Sequence, residues 1–169
     1  MPTPASASRR ITRPPLDRTD RKLLDLLQSD GRLTNLELAE RVALSPSPCL
    51  RRVRRLEEEG IIKQYVALLD PSKVGLGLTA YVNVKLEKRG KMPIDAFSDA
   101  VRKWPEVVAC FSMTGDIDYL LRVQVEDLEH YSRFMMDSLL KQTGVIDVKS
   151  NFVLERIKDT TALPLAHLG

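Results

Sequence analysis

Cysteine and histidine are scarce in this chain of 169 residues, and each scarcity removes a class of function. The two cysteines, Cys49 and Cys110, lie far apart with neither a metal-type nor a redox-type spacing. They read as small buried hydrophobes in a reducing compartment. His130 and His167 have no nearby ligand partner, so no metal site and no cofactor is expected. A Gly-rich phosphate loop is missing, as is a histidine set beside a nucleophile. Asp116 and Asp118 are the best acid–base pair available, yet two residues apart on a strand they share one face with no substrate cleft in view. Catalysis is therefore not expected. The apolar runs are too short to cross a bilayer. The start, "MPTPASASRRITRPP", has basic residues with no apolar stretch behind them and is no secretory signal. Residues 1–15 read as a disordered basic tail, and the cytoplasm is the expected location.

What is present is ordinary globular composition, 43% hydrophobic and 29% charged, on a length that suits one or two small domains. The charge is unevenly placed. Residues 1–60 hold 12 basic and 9 acidic side chains, whereas residues 61–169 hold 14 of each, so the whole surplus sits in the first third. An N-terminal module that meets a polyanion and a neutral C-terminal module with another task are implied.

The stretch from Leu16 supports the first of these. Leu23, Leu24, Leu26 and Leu27 recur at helical spacing behind Asp17 or Thr19, either of which can cap a helix start, and Gly31 closes the run. Thr34 with Glu37 forms a capping box for a short second helix whose buried side is Leu36, Leu38, Ala39 and Val42. After a tight turn at Ala43 and Leu44, "SPSPCLRRVRRLEEEG" (residues 45–60) predicts a third helix. Ser45 is its N-cap, Pro46 and Pro48 occupy the first turn, where no amide needs an intrahelical acceptor, and Gly60 is a left-handed C-terminal cap. Cys49, Leu50, Val53 and Leu56 are expected on the buried side. Ser47, Pro48, Arg51 and Arg55 are expected opposite, with Arg52 and Arg54 on the flanks.

Arg51 and Arg55 repel each other at i, i+4, so the run is unfavourable in an isolated helix. An all-arginine face suits phosphates and guanine edges, and the small side chains at its start permit close approach to a groove floor. Residues 16–60 thus read as a helix-turn-helix, with Thr34, Ser45, Ser47, Pro48, Arg51, Arg52 and Arg55 as the candidate DNA contacts.

The remainder alternates strands and helices. "IIKQYVALLD" is apolar and β-prone, and residues 61–75 read as a wing-like strand and hinge. Residues 76–169 then give strand, helix, two strands joined at Gly115–Asp116, helix and strand. In the first of these helices Ile94, Phe97, Val101 and Trp104 share a face between Pro93 and Pro105, and Gly144 closes the second. That βαββαβ order is the ferredoxin-like arrangement, and the class is α+β.

Four stretches make a family visible. "SPSPC" followed by "RRVRRLEEEGII", with "LLDPSKVGLGL", "VVACFSMTGDIDYLLRV" and "SNFVLERIKDTTALPL" further on, resembles the Lrp/AsnC family of bacterial transcription regulators over about residues 16–165. The resemblance implies a winged helix-turn-helix, a C-terminal amino-acid-sensing domain of the RAM or ACT-like type, and sheet-paired homodimers that assemble into octamers or hexadecamers. No membrane partner is expected, and the resemblance places an amino-acid effector, at the interface between dimers, against Met113, Thr114, Gly115, Asp116, Asp118 and Tyr119. Leu128, Asn151, Phe152 and Val153 would line the far side.

A zwitterion needs a carboxylate, backbone amides and an apolar hollow, and Met113, Leu128, Phe152 and Val153 suit leucine or methionine. Double-stranded DNA bearing a pseudo-palindromic operator is the expected partner, since two recognition helices add their contacts. The competing expectation is an amino-acid-binding oligomeric adaptor that does not bind DNA specifically. Duplex binding would lose affinity steeply with added salt, whereas the adaptor would show no palindrome preference.

Overall fold

Asp17 and Thr34 open two helices by the same device. In each, the cap side chain accepts the amide of the residue three positions on, Asp20 or Glu37, whose carboxylate returns to the cap backbone. The structure, a computed structural model, describes residues 16–87 and 92–168. The basic tail of residues 1–15 lies outside these. Two units form, one of the residues through Ala67 together with those from Asp159, the other Leu68–Lys158.

The first unit holds α1 (Arg18–Ser29), α2 (Asn35–Arg41) and α3 (Pro46–Glu58). Leu23, Leu38, Ala39, Val42, Cys49 and Val53 form its core, and Leu26, Leu27, Leu33 and Leu44 pack against them. Each leucine or valine among them contributes about 1.5–3 kcal/mol when fully buried. Ala43 takes a left-handed φ of 56°, which makes the turn from α2 to α3 tight. Gly60 (φ 68°) ends α3 with the amide of Ile62 on the carbonyl of Leu56, as a C-terminal glycine cap requires. Leu36, expected inside, is 59% exposed, because the seven-residue α2 offers the core only the side that carries Leu38 and Ala39.

Residues 61–70 form no strand. Tyr65 is anchored by donating its hydroxyl to Glu57, and burial with that bond pushes its phenol up to about 12. The C-terminal segment joins this same unit. The side-chain amide of Gln28 donates to the carbonyl of Leu163 and its oxygen accepts the Leu163 amide, while Arg21 donates to the carbonyl of Leu168.

The second unit is an antiparallel sheet of β1 (Leu78–Leu86), β2 (Val107–Ser112), β3 (Tyr119–Val125) and β4 (Val145–Phe152), in the order β2-β3-β1-β4. Helices α4 (Met92–Val101) and α5 (Leu128–Phe134) complete the ferredoxin-like βαββαβ order. Alternation along β1 buries Ala80, Val82, Val84 and Leu86, and Leu121, Val123 and Val125 of β3 join them. Phe97, Val101, Tyr131, Phe134 and Leu139 close the core from the helices. Ile94 is exposed, and Trp104 lies past the end of α4 with its ring edge-on to Phe97 and Phe134. Past Phe134 the helix widens to a π turn over Met135–Leu139, where the amide of Leu140 reaches the carbonyl of Met135.

Candidate DNA interface and effector site

The N-terminus of α3 departs from the expected cap. Ser45 occupies the N-cap, yet its side chain makes no capping hydrogen bond. The reason is chemical: Pro48 stands at the third helical position, where a serine cap often finds an amide, and proline has none. Position is held instead from α2, where the side-chain amide of Asn35 donates to the carbonyl of Pro46 at 2.9 Å. Ser45 and Ser47 are exposed, and Pro48 is half-buried. Thr34 is committed to its capping box, donating its hydroxyl to Glu37 at 2.7 Å and holding that carboxyl below its usual range.

Along α3 the buried stripe is Cys49, Val53 and Leu56. Burial raises the Cys49 thiol above its ordinary value, so it stays protonated and packs as a hydrophobe. Leu50, expected inside, is 37% exposed, because it lies about 100° round the helix from Cys49 and faces out with Arg51 and Arg54.

The four arginines divide into two pairs. Arg51 and Arg54 are exposed, and neither makes an ion pair among the described residues. Arg52 and Arg55 turn toward α1. Arg52 Nη1 donates to Asp17 Oδ2 at 2.7 Å and to Asp20 Oδ1 at 2.8 Å, and Arg55 Nη2 donates to Asp20 Oδ2 at 2.5 Å. The Asp20 side chain is 1% exposed. The Asp20 amide and the Arg52 guanidinium together hold the Asp17 carboxyl below its usual range, and the two acids hold Arg52 above its own. Arg55 thus lies beside α1 rather than on the outer face: Arg52 stands one turn before Leu56 at the edge of the buried stripe, and Arg55 stands one turn after Arg52 on the side that meets Asp20. All four arginines, Ser47 and Leu50 share a shallow hollow of about 570 Å³ with Asp17 and Glu58.

Sequence reasoning missed Asp20 and left Arg54 out of the candidate contacts. The signal for Asp20 was present: with Leu23, Leu24 and Leu27 it sits at i, i+3, i+4 and i+7, so a carboxylate was due on a buried stripe and required a cation.

In the second unit the effector residues fall into two groups. The β2–β3 connection is a six-residue loop, 113–118, wider than a two-residue turn; the amide of Met113 meets the carbonyl of Asp118, and Gly115 takes φ 111°. Asp118 Oδ2 accepts the amide of Leu86 at 2.7 Å, and the Asp118 amide donates to the carbonyl of Val84. One carboxylate oxygen of Asp118 therefore ties down the end of β1. Asp116 and Thr114 are exposed, Met113 is 40% exposed, and the Tyr119 ring packs on Phe97 at 4.8 Å.

The second group sits at the other end of the sheet. Asn151 pairs with Tyr81 and Phe152 with Ala80, the amide of Val153 reaches the carbonyl of Thr79, and the Phe152 ring stands edge-on to Tyr131. Val125 pairs with Leu78, so the following α5 and its exposed Leu128 start at this end too. Tyr119 pairs with Val84, four residues along β1 from Ala80, a separation of about 13 Å before the width of the strands is added. The groups Met113–Tyr119 and Leu128 with 151–153 do not meet within one chain.

Comparison with known proteins fits both halves. Residues 16–63 match the family described as "Winged helix-turn-helix DNA-binding" and residues 79–163 the "Lrp/AsnC ligand binding domain". The Escherichia coli K12 protein described as the DNA-binding transcriptional activator DecR is 46% identical over 150 residues, 89% of this chain and 99% of that relative. The leucine-responsive regulatory protein of the same strain is 42% identical over 148 residues, 88% of this chain and 90% of its own length. A transcriptional regulator from Neisseria meningitidis, solved as its L-Met complex, superposes with a TM-score of 0.88 at 55% identity, covering 90% of this chain and 99% of that one. With both domains matched in order and across nearly all of its relatives' length, the chain belongs to the Lrp/AsnC family and is a DNA-binding regulator of transcription.

Proposed function

We propose that the protein reads a pseudo-palindromic operator by laying α3 of each copy in the major groove, and that leucine or methionine bound by the C-terminal unit alters that binding or the assembly of copies. The outer face of α3 carries the DNA half of this reading: Arg51 projects free, and Ser45 and Ser47 are exposed with no capping duty. Thr34 and Pro48 flank that start. Small side chains with one fork-shaped cation suit a groove floor and a phosphate or guanine edge.

The effector half rests on the two separated groups. Asp116 offers an exposed carboxylate for an ammonium, and Met113, Leu128, Phe152 and Val153 offer exposed or half-buried apolar surface. Because the groups stand at opposite ends of one sheet, the pocket is composite and forms where the loop of one copy meets the 151–153 strand end of another. The edge strands β2 and β4, with Val108, Phe111 and Ile146 exposed, give such copies surfaces to pair through, first as dimers and then as an octamer. The L-Met complex of the Neisseria regulator supports the choice of an apolar amino acid. The protein acts in the cytoplasm, where the operator is.

The test joins a thermal-shift screen of the twenty amino acids to footprinting upstream of the protein's own gene. Leucine or methionine should raise the melting temperature and change the protected pattern. A polar or acidic amino acid acting alone would overturn the pocket assignment, and no protection anywhere would overturn the DNA reading.

A further inference from the structure

We infer that the four arginines of α3 have two jobs: Arg51 and Arg54 face the DNA, whereas Arg52 and Arg55, gripped by the buried carboxylate of Asp20, are positioning residues that set the angle of the recognition helix. The inference deepens the DNA reading above and rests on it.

Asp20 carries it. Its side chain is buried to 1% exposure, sits inside the α1 capping box, and accepts from two guanidinium groups one turn apart on α3. A buried carboxylate is tolerated only when paired and hydrogen-bonded, so the bonds to Arg52 and Arg55 are a condition of folding here. Two fixed points, at Arg52 and Arg55, hold α3 against both rotation and sliding on α1. Asp17 doubles the hold on Arg52.

The charge also cancels locally. Asp17 and Asp20 offset Arg52 and Arg55, which leaves Arg51 and Arg54 as the uncompensated cations of the helix. Arg54, three residues from Arg51, stands on the same outward side and lines the same hollow as Ser47.

The experiment uses the full chain and, as probe, a duplex that the wild type enriches from a random-sequence pool. Affinity is measured against salt, and melting temperature is measured in parallel. Each phosphate contact contributes about 0.9 to the slope of log affinity on log salt, so Arg54→Gln should flatten the slope by about two for a dimer and leave the melting temperature in place. Arg52→Gln should lower the melting temperature and weaken binding with the slope unchanged. Asp20→Asn, which removes the charge and replaces one of the two acceptor oxygens with a donor, should do the same, and Asp20→Glu should recover part of the loss.

The opposite pattern overturns the division: a slope lost in Arg52→Gln, or a tighter and steeper interaction in Asp20→Asn, would mean that the acids compete with phosphate for Arg52. A wild type that enriches no duplex overturns the DNA reading itself. The Asp20–Arg52 positioning then fails separately, if Arg52→Gln and Asp20→Asn melt like wild type.

Discussion

Asp118 was expected to hold an effector, and its geometry gives it a second duty whose size can be worked out. Its Oδ2 accepts the amide of Leu86 at 2.7 Å, and Leu86 is only 3% exposed. Replacing Asp118 by alanine strands that amide without an acceptor, which costs about 1–3 kcal/mol. For a domain of this size, each kcal/mol moves the melting temperature by about 4–8 °C, so Asp118→Ala should melt roughly 5–20 °C below wild type. Asp118→Asn keeps an oxygen in place and should lose well under half of that. The two variants therefore separate structure from recognition. Calorimetry of both, with and without a saturating apolar amino acid, is the assay. At a concentration of a hundred times Kd a bound effector stabilises by about 2.7 kcal/mol, easily resolved. If Asp118→Asn melts as low as Asp118→Ala, the charge and not the acceptor stabilises β1, and the reasoning fails. Should Asp118→Ala melt like wild type, the hydrogen bond contributes nothing.

Other expectations follow from the first unit. The Asp17 carboxyl is held below its ordinary value of 3.8, so its contribution to stability is complete above the unfolded value and disappears as pH falls through the lower folded one. Melting temperature should be flat from pH 7 to about 5 and drop below about 4, and Asp17→Asn should make the drop shallower. Leu56 is fully buried on α3, and Leu56→Ala should cost about 2–5 kcal/mol in chemical unfolding and remove DNA binding with it. Ala43 pays for a left-handed backbone at the turn between α2 and α3, so Ala43→Gly should stabilise the unit by about 0.5 kcal/mol once the extra freedom of the unfolded chain is subtracted.

Much of this molecule is written in local spacing. Thr34 and Glu37 stand three apart, and the capping box formed as that spacing requires. Pro46 and Pro48 before an apolar stripe mark a helix start, and α3 begins at Pro46. The alternation in "LTAYVNVKL" became β1, and the turn at Gly115 became the loop between β2 and β3. What escaped depends on which element lies beside which. No pattern within α3 tells Arg55 from Arg51, both expected opposite the buried side; the difference is made by Asp20, more than thirty residues away. Leu36 and Leu50 are apolar at plausible positions, but a short α2 and the seating of α3 leave them outside. The two effector groups read as neighbours only if sheet register is ignored, since Tyr119 and Phe152 pair with different ends of β1. Likewise, nothing in "TTALPLAHL" announces that it returns to Gln28 and Arg21.

Hydroxyl-radical footprinting of the full chain on a duplex it has itself selected bears most directly on whether the exposed side of α3 reads DNA. Two protected windows about one helical turn apart, fading as salt rises and erased by Arg51→Ala in a variant that still melts like wild type, are the predicted outcome. An Arg51→Ala footprint indistinguishable from the parent's would contradict the account.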